Sequence, residues 1–202
     1  MSSAKIIEKN RIIEAELIAS ILPMIESQEY TDISIREICE RIGITTGKFY
    51  RHFRSKTDLL TICVDQKTIL LLEEIEGELY GKPLDEQLKL LTVADFRAVL
   101  MLGPDGIIRF FNGDSKDPVG SCRTSRGIFV DRIANCIHRN RPDLDPEAQR
   151  VADALVVLLK GVSFEWYTKA HEGNEAFDPV VCLEEMLNYC LPRLLDKQKP
   201  ER

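Results

Sequence analysis

No apolar run in this chain approaches the roughly 18 residues that a membrane-spanning helix requires. The opening MSSAKIIEKNR also lacks the apolar stretch of a secretory leader, so a cytoplasmic protein is expected. The six cysteines, Cys39, Cys63, Cys122, Cys136, Cys182 and Cys190, include no CxxC pair. Most fall inside apolar helical patterns, and in a reducing compartment such residues are small core side chains rather than disulfides, with a redox-sensing thiol as the competing reading. Histidine is scarce, and His52, His138 and His171 show no HxxxH spacing. A metal site, or a Cys/His nucleophilic pair, would have to be assembled in three dimensions without any local signature. The segment Gly43-Ile44-Thr45-Thr46-Gly47-Lys48 falls short of a phosphate loop. It has one residue too few between its glycines, and Phe49 stands where a magnesium-binding hydroxyl belongs. No enzyme, cofactor or metal is expected.

Acid is missing from one place where it matters. Between Arg41 and Lys56 the charged residues are Arg41, Lys48, Arg51, Arg54 and Lys56, all basic, although the whole chain carries a net charge of −6. Residues 1–67 hold ten basic and ten acidic side chains, whereas residues 68–202 hold seventeen and twenty-three. The acidity therefore belongs to the later part. Such a division suits a chain that meets phosphate through one small face and keeps its remainder away from it.

That basic stretch lies inside SIREICERIGITTGKFYRHFRSKTDLL, Ser34 to Leu60. Ser34-Ile35-Arg36-Glu37 and Ser55-Lys56-Thr57-Asp58 each place a hydroxyl three residues before a carboxylate, the pattern of a capping box. Ile33 and Ile38 flank the first as a hydrophobic staple. Gly43 supplies a left-handed residue to stop one short helix, and Thr45 is placed to cap the next. Phe49 and Phe53, four apart, share a buried face and leave Tyr50 beside His52 on another. The pattern predicts a helix-turn-helix, whose second helix enters a major groove while the first braces it.

Over roughly residues 11–62 the chain resembles the TetR family of bacterial transcriptional regulators, most specifically in IGITTGKFYRHFRSKTDLL, where the glycine, the aromatic pair, His-Phe and Ser-Lys-x-x-Leu-Leu fall at the family's spacing. Glu29 stands where the family often has glycine before Tyr30, and Cys39 and Ile42 replace its usual alanines. The resemblance implies an all-α protein with a helix-turn-helix DNA-binding domain over 1–54 and a larger helical regulatory and dimerisation domain over 55–202. It also implies that Thr46, Gly47 and Lys48 face base edges, that Tyr50 and His52 meet backbone or bases, that Thr45 and Lys56 meet phosphates, and that Arg36 reaches a phosphate or a flanking base. A dimeric repressor on a palindromic operator, released by a small-molecule inducer, is the implied function. A chromosome-organising or protein-interaction factor without an inducer is the alternative, because fold does not dictate function.

The remaining chain reads as helices. The first is expected from about Lys5 to Ser27 on the stripe Ile18, Ile21, Leu22 and Ile25, with Pro23 as a kink or a last turn. Lys5, Lys9 and Arg11 lie either along a phosphate backbone or on a solvated helix start. A long helix from Lys56 to about Tyr80, stopped by Gly81 and Pro83, is the expected lever; its Glu73, Glu74, Glu76 and Glu78 are either a solvated face or a site for a cation. Three helices follow between Pro83 and Arg139, broken at Gly103-Pro104-Asp105-Gly106 and from Gly113 to Gly120. Phe96, Met101, Phe110, Phe129 and Trp166 are candidate walls of a small-molecule pocket, with ordinary core as the competing reading. The last two helices, about 146–171 and 179–196, are amphipathic, and doubled they make the four-helix bundle of a homodimer.

Overall fold

The computed structural model describes residues 17–25, 33–112 and 120–196. Among these there are only helices and turns: α1 (17–25), α2 (Ile35–Arg41), α3 (Thr46–His52), α4 (Lys56–Leu79), α5 (Leu84–Leu100), α6 (Gly103–Asn112), α7 (Gly120–Asn140), α8 (Asp145–His171) and α9 (Pro179–Leu195). The start of the first helix with Lys5, Lys9 and Arg11, its end at Ser27, and Glu29 and Tyr30 lie outside the described residues. So does the break at 113–119. Pro23 sits within α1 on its exposed side.

Local chemistry accounts for the boundaries. The Ser34 hydroxyl accepts from the Glu37 amide at 3.2 Å while the Glu37 carboxylate accepts from the Ser34 amide at 2.7 Å, a complete capping box. Ile33 and Ile38 are both buried beside it. Gly43 has φ 72°, a left-handed value that ends α2, and the Thr45 hydroxyl accepts from the Lys48 amide at 3.1 Å to open α3. At α4 the second box is displaced by one residue. Ser55 accepts from the Asp58 amide at 3.0 Å, but the Asp58 carboxylate takes the amide of Arg54, at 2.9 Å, instead of the cap's own. Gly103-Pro104-Asp105-Gly106 also differs from expectation. Gly103, with φ 69°, makes the turn, and Pro104 to Gly106 form the first turn of α6, where a proline loses no hydrogen bond.

Two apolar cores result. The larger joins α5, α7, α8 and α9 through Leu88, Phe96, Ile133, Ile137, Leu155, Leu183 and Leu187. The other lies beneath the head: Ile21, Ile25, Ile38, Phe49, Phe53, Leu59 and Cys63, all within a few per cent of complete burial. This second core does not stop at residue 54. It continues through α4 to Val64 and takes in Ala98 of α5, Leu102 of the turn after it and Phe110 of α6. Burial of this kind is the main force positioning the head, at roughly 1.5–3 kcal/mol per large side chain.

Candidate nucleic-acid interface and ligand cavity

The head presents its short third helix by burying one side of it. Phe49 is fully enclosed and packs on Phe53 with ring centroids 5.2 Å apart. Tyr50, edge-on to Phe49 at 5.4 Å, is 57% exposed. Thr45, Thr46, Gly47 and Tyr50 are exposed in sequence, with Lys48 and His52 half-buried beside them. No residue in this row is acidic, and Arg41, Arg51 and Arg54 are exposed around it. Seven residues make a helix about 10 Å long, which fits a major groove roughly 12 Å wide.

Two of the candidate DNA contacts are also engaged within the protein. Arg36 is exposed on α2 and pairs with Glu40 at 3.0 Å, an exposed i,i+4 pair that costs little to break. Lys56 is half-buried, and its ammonium donates to the Ile33 carbonyl at 2.7 Å. That bond ties the start of α4 to the residue preceding α2, a brace that spacing alone does not show. An ammonium has three donors, so a phosphate can be met as well.

A family model described as bacterial regulatory proteins, tetR family, matches residues 17–61, the segment that builds this head. This head belongs to the TetR family. Fourteen solved chains match this chain. One, from Pseudomonas aeruginosa PAO1 and provisionally named a transcriptional regulator, shares 18% identity over 90% of this chain and 89% of its own, with a TM-score of 0.55. At that identity the likeness is one of fold. No curated protein matches.

Behind the head a cavity of about 110 Å³ lies among α4, α5, α6, α7 and α8. Its apolar wall includes Val64, Ile69, Val99, Phe110, Phe111, Ile128, Phe129, Val156 and Leu159. Of the five candidates, Phe110 and Phe129 line it. Phe96, Met101 and Trp166 do not. Phe96 is enclosed in the larger core, Trp166 packs partly buried against that core, and Met101 packs against the core beneath the head. Helical spacing marks all five as inward-facing; the rotation of each helix decides which cavity or core receives it.

Helical spacing does not point to the polar groups of the wall. Asp95 accepts from Arg132 at 2.8 Å through each carboxylate oxygen, with both side chains largely buried. The Thr68 hydroxyl adds a further hydrogen bond. Burial, which outweighs Arg132, pushes the Asp95 carboxyl up to about 6. One sequence signal was available: Asp95 interrupts the buried stripe Leu91, Val93, Ala94, Phe96 and Ala98, and a carboxylate in such company needs a partner. Its partner lies 37 residues away, beyond the reach of spacing.

Among the described residues no group of His, Cys, Asp and Glu is placed to hold a metal ion, and no helix is long and apolar enough to cross a membrane. Cys39, Cys63 and Cys136 are buried, and Cys182 and Cys190 half-buried. The side chain of Cys122 lies outside the described ones. Burial pushes the Cys63 thiol up to about 12 and raises those of Cys39, Cys136 and Cys182, which lowers their thiolate content and suits core packing better than redox sensing.

Proposed function

We propose that this protein is a ligand-responsive transcriptional regulator of the TetR family: a repressor that binds a palindromic operator as a homodimer in the cytoplasm and is released by a small-molecule inducer. The observation that carries the proposal is the double position of Phe110, which is 2% exposed, lines the cavity and belongs to the core beneath the head. A ligand against that ring touches the packing that seats the DNA-binding helices. Helix α4 makes a second connection, since it starts at Lys56 beside the head and contributes Val64, Asp65, Thr68 and Ile69 to the cavity.

In the proposed mechanism Thr46, Gly47 and Lys48 face base edges, Tyr50 and His52 contact backbone or bases, Thr45 and Lys56 meet phosphates, and Arg36 reaches a phosphate or a flanking base. A single head of this size binds weakly. Two heads about 34–36 Å apart read a palindrome jointly. Val157 and Phe164 on α8, and Val181 and Tyr189 on α9, are 70%, 61%, 50% and 74% exposed, an apolar surface that supports pairing of these helices between two copies. An inducer releases the operator only through its difference in affinity for the two states of the dimer. The open cavity favours this reading over a chromosome-organising factor without an inducer.

The test is selection of binding sites from random duplex DNA by the purified protein, with the mass of the complex measured on the winning sequence. A palindrome bound by one dimer, or by a pair of dimers, is the expected result. Absence of enrichment over random sequence at moderate salt would refute the proposal.

A further inference from the structure

The cavity has an inner zone and a rim that use their polar groups differently. Val64, Thr68, Phe110, Phe129 and Val156 are buried and form its inner wall, whereas Ile69, Arg126, Ile128 and Lys160 are exposed and mark its mouth. Inside, the Asp95 carboxylate is taken by Arg132 and Thr68, and Asp65 has a partner too. The interior therefore offers a ligand chiefly apolar surface. At the rim Arg126 is paired with Asp153. Lys160 is different. Its ammonium stands over the Phe111 ring, 5.7 Å from the centroid, and among the described residues it makes no ion pair.

Size and charge together select a class. A volume of about 110 Å³ is near that of a cavity of roughly 150 Å³ known to admit a benzene ring, so the buried body is about one six-membered ring. A cationic ligand needs a carboxylate with no prior partner, and both carboxylates of the wall are engaged. An anion finds Lys160, whose exposed ammonium stands at the rim over the Phe111 ring.

We propose that the cavity takes a small organic carboxylate, its single ring or branched chain buried against Phe110 and Phe129 and its carboxylate received at the rim by the Lys160 ammonium. This rests on the reading of the cavity as a ligand site, and it goes beyond that reading by naming the ligand's charge, its size and the residue that selects it.

Titration calorimetry on the full chain without DNA, at constant ionic strength, tests it with benzoate, benzamide, benzylammonium and 2-naphthoate. Benzoate is expected to bind the wild type about threefold to fivefold more tightly than benzamide, the scale of an ion pair to an exposed ammonium. 2-Naphthoate, too large for the inner zone, binds more weakly than benzoate. In Lys160→Met, which keeps the aliphatic stem and removes the charge, benzoate and benzamide become nearly equal and benzamide binds as before. Equal affinities in the wild type, an unchanged ratio in Lys160→Met, preference for benzylammonium or 2-naphthoate, or no binding by any of the four overturns the assignment. Operator binding measured separately keeps the outcomes distinct: failure of all four probes leaves DNA recognition standing, whereas benzoate binding without operator release leaves the carboxylate site standing and removes induction.

Discussion

Replacing Phe110 by alanine removes the ring that faces both the cavity and the core beneath the head. Because Phe110 is 2% exposed, and the space it leaves adjoins an existing void that cannot collapse onto it, the loss should fall in the usual range for buried Phe→Ala, about 3–5 kcal/mol. The chain has one tryptophan, Trp166, which packs against the larger core and so reports on the C-terminal body by fluorescence. In urea, with a slope of roughly 2–3 kcal/mol/M, the midpoint should fall by about 1–2.5 M, measured at one protein concentration so that any self-association is held constant. Operator binding by fluorescence anisotropy should weaken in the same variant well below its unfolding midpoint, since the seat of the head is loosened while the residues proposed to face DNA are intact. A stability loss under about 1 kcal/mol with unchanged operator affinity would show that Phe110 does not connect cavity and head, and the proposed route of induction would fall with it.

Other outcomes follow from single contacts. Thr45→Ala deletes the cap of the recognition helix and should cost about 1 kcal/mol, seen as weaker operator binding that Thr45→Ser largely restores; equal loss in both variants would place the effect elsewhere. Lys48→Ala should relax sequence preference, whereas Lys56→Ala should weaken binding evenly across sequences and flatten its salt dependence. Lys56→Ala should also cost about 1 kcal/mol of stability through its bond to Ile33, and indistinguishable profiles for the two variants would refute this division of roles. Asp95 gives a pH signature. Its folded carboxyl is raised to about 6 against about 3.9 when unfolded, so the folded state holds the proton more tightly. The stability it contributes is greatest below pH 4 and falls as pH rises to about 6, by at most roughly 3 kcal/mol for a side chain 14% exposed. The difference in urea midpoint between wild type and Asp95→Asn should decline across that window; a flat or rising difference contradicts it.

What the chain determined by itself is what depends on a few neighbouring residues. Ser34, Glu37, Gly43, Thr45, Ser55, Gly81 and Pro179 act on backbone groups within one turn, so the helix-turn-helix, both ends of α4 and the start of α9 are legible as spacing. Phe49 and Phe53 as core and Tyr50 as surface followed from four-residue periodicity within one short helix. The turn at Gly103 was legible, but not the helical state of the three residues after it, because proline is as compatible with a helix's first turn as with a loop.

Tertiary structure decided the rest. Phe96, Phe110, Phe129 and Trp166 have the same inward signature in sequence, yet only Phe110 and Phe129 meet the cavity, since that space is what remains between five helices after their packing sets each rotation. Asp95 finds Arg132, and Lys56 finds the Ile33 carbonyl, across 37 and 23 residues of chain. No local rule reaches so far: periodicity says that a side chain faces inward, and only the packed helices say what it meets there.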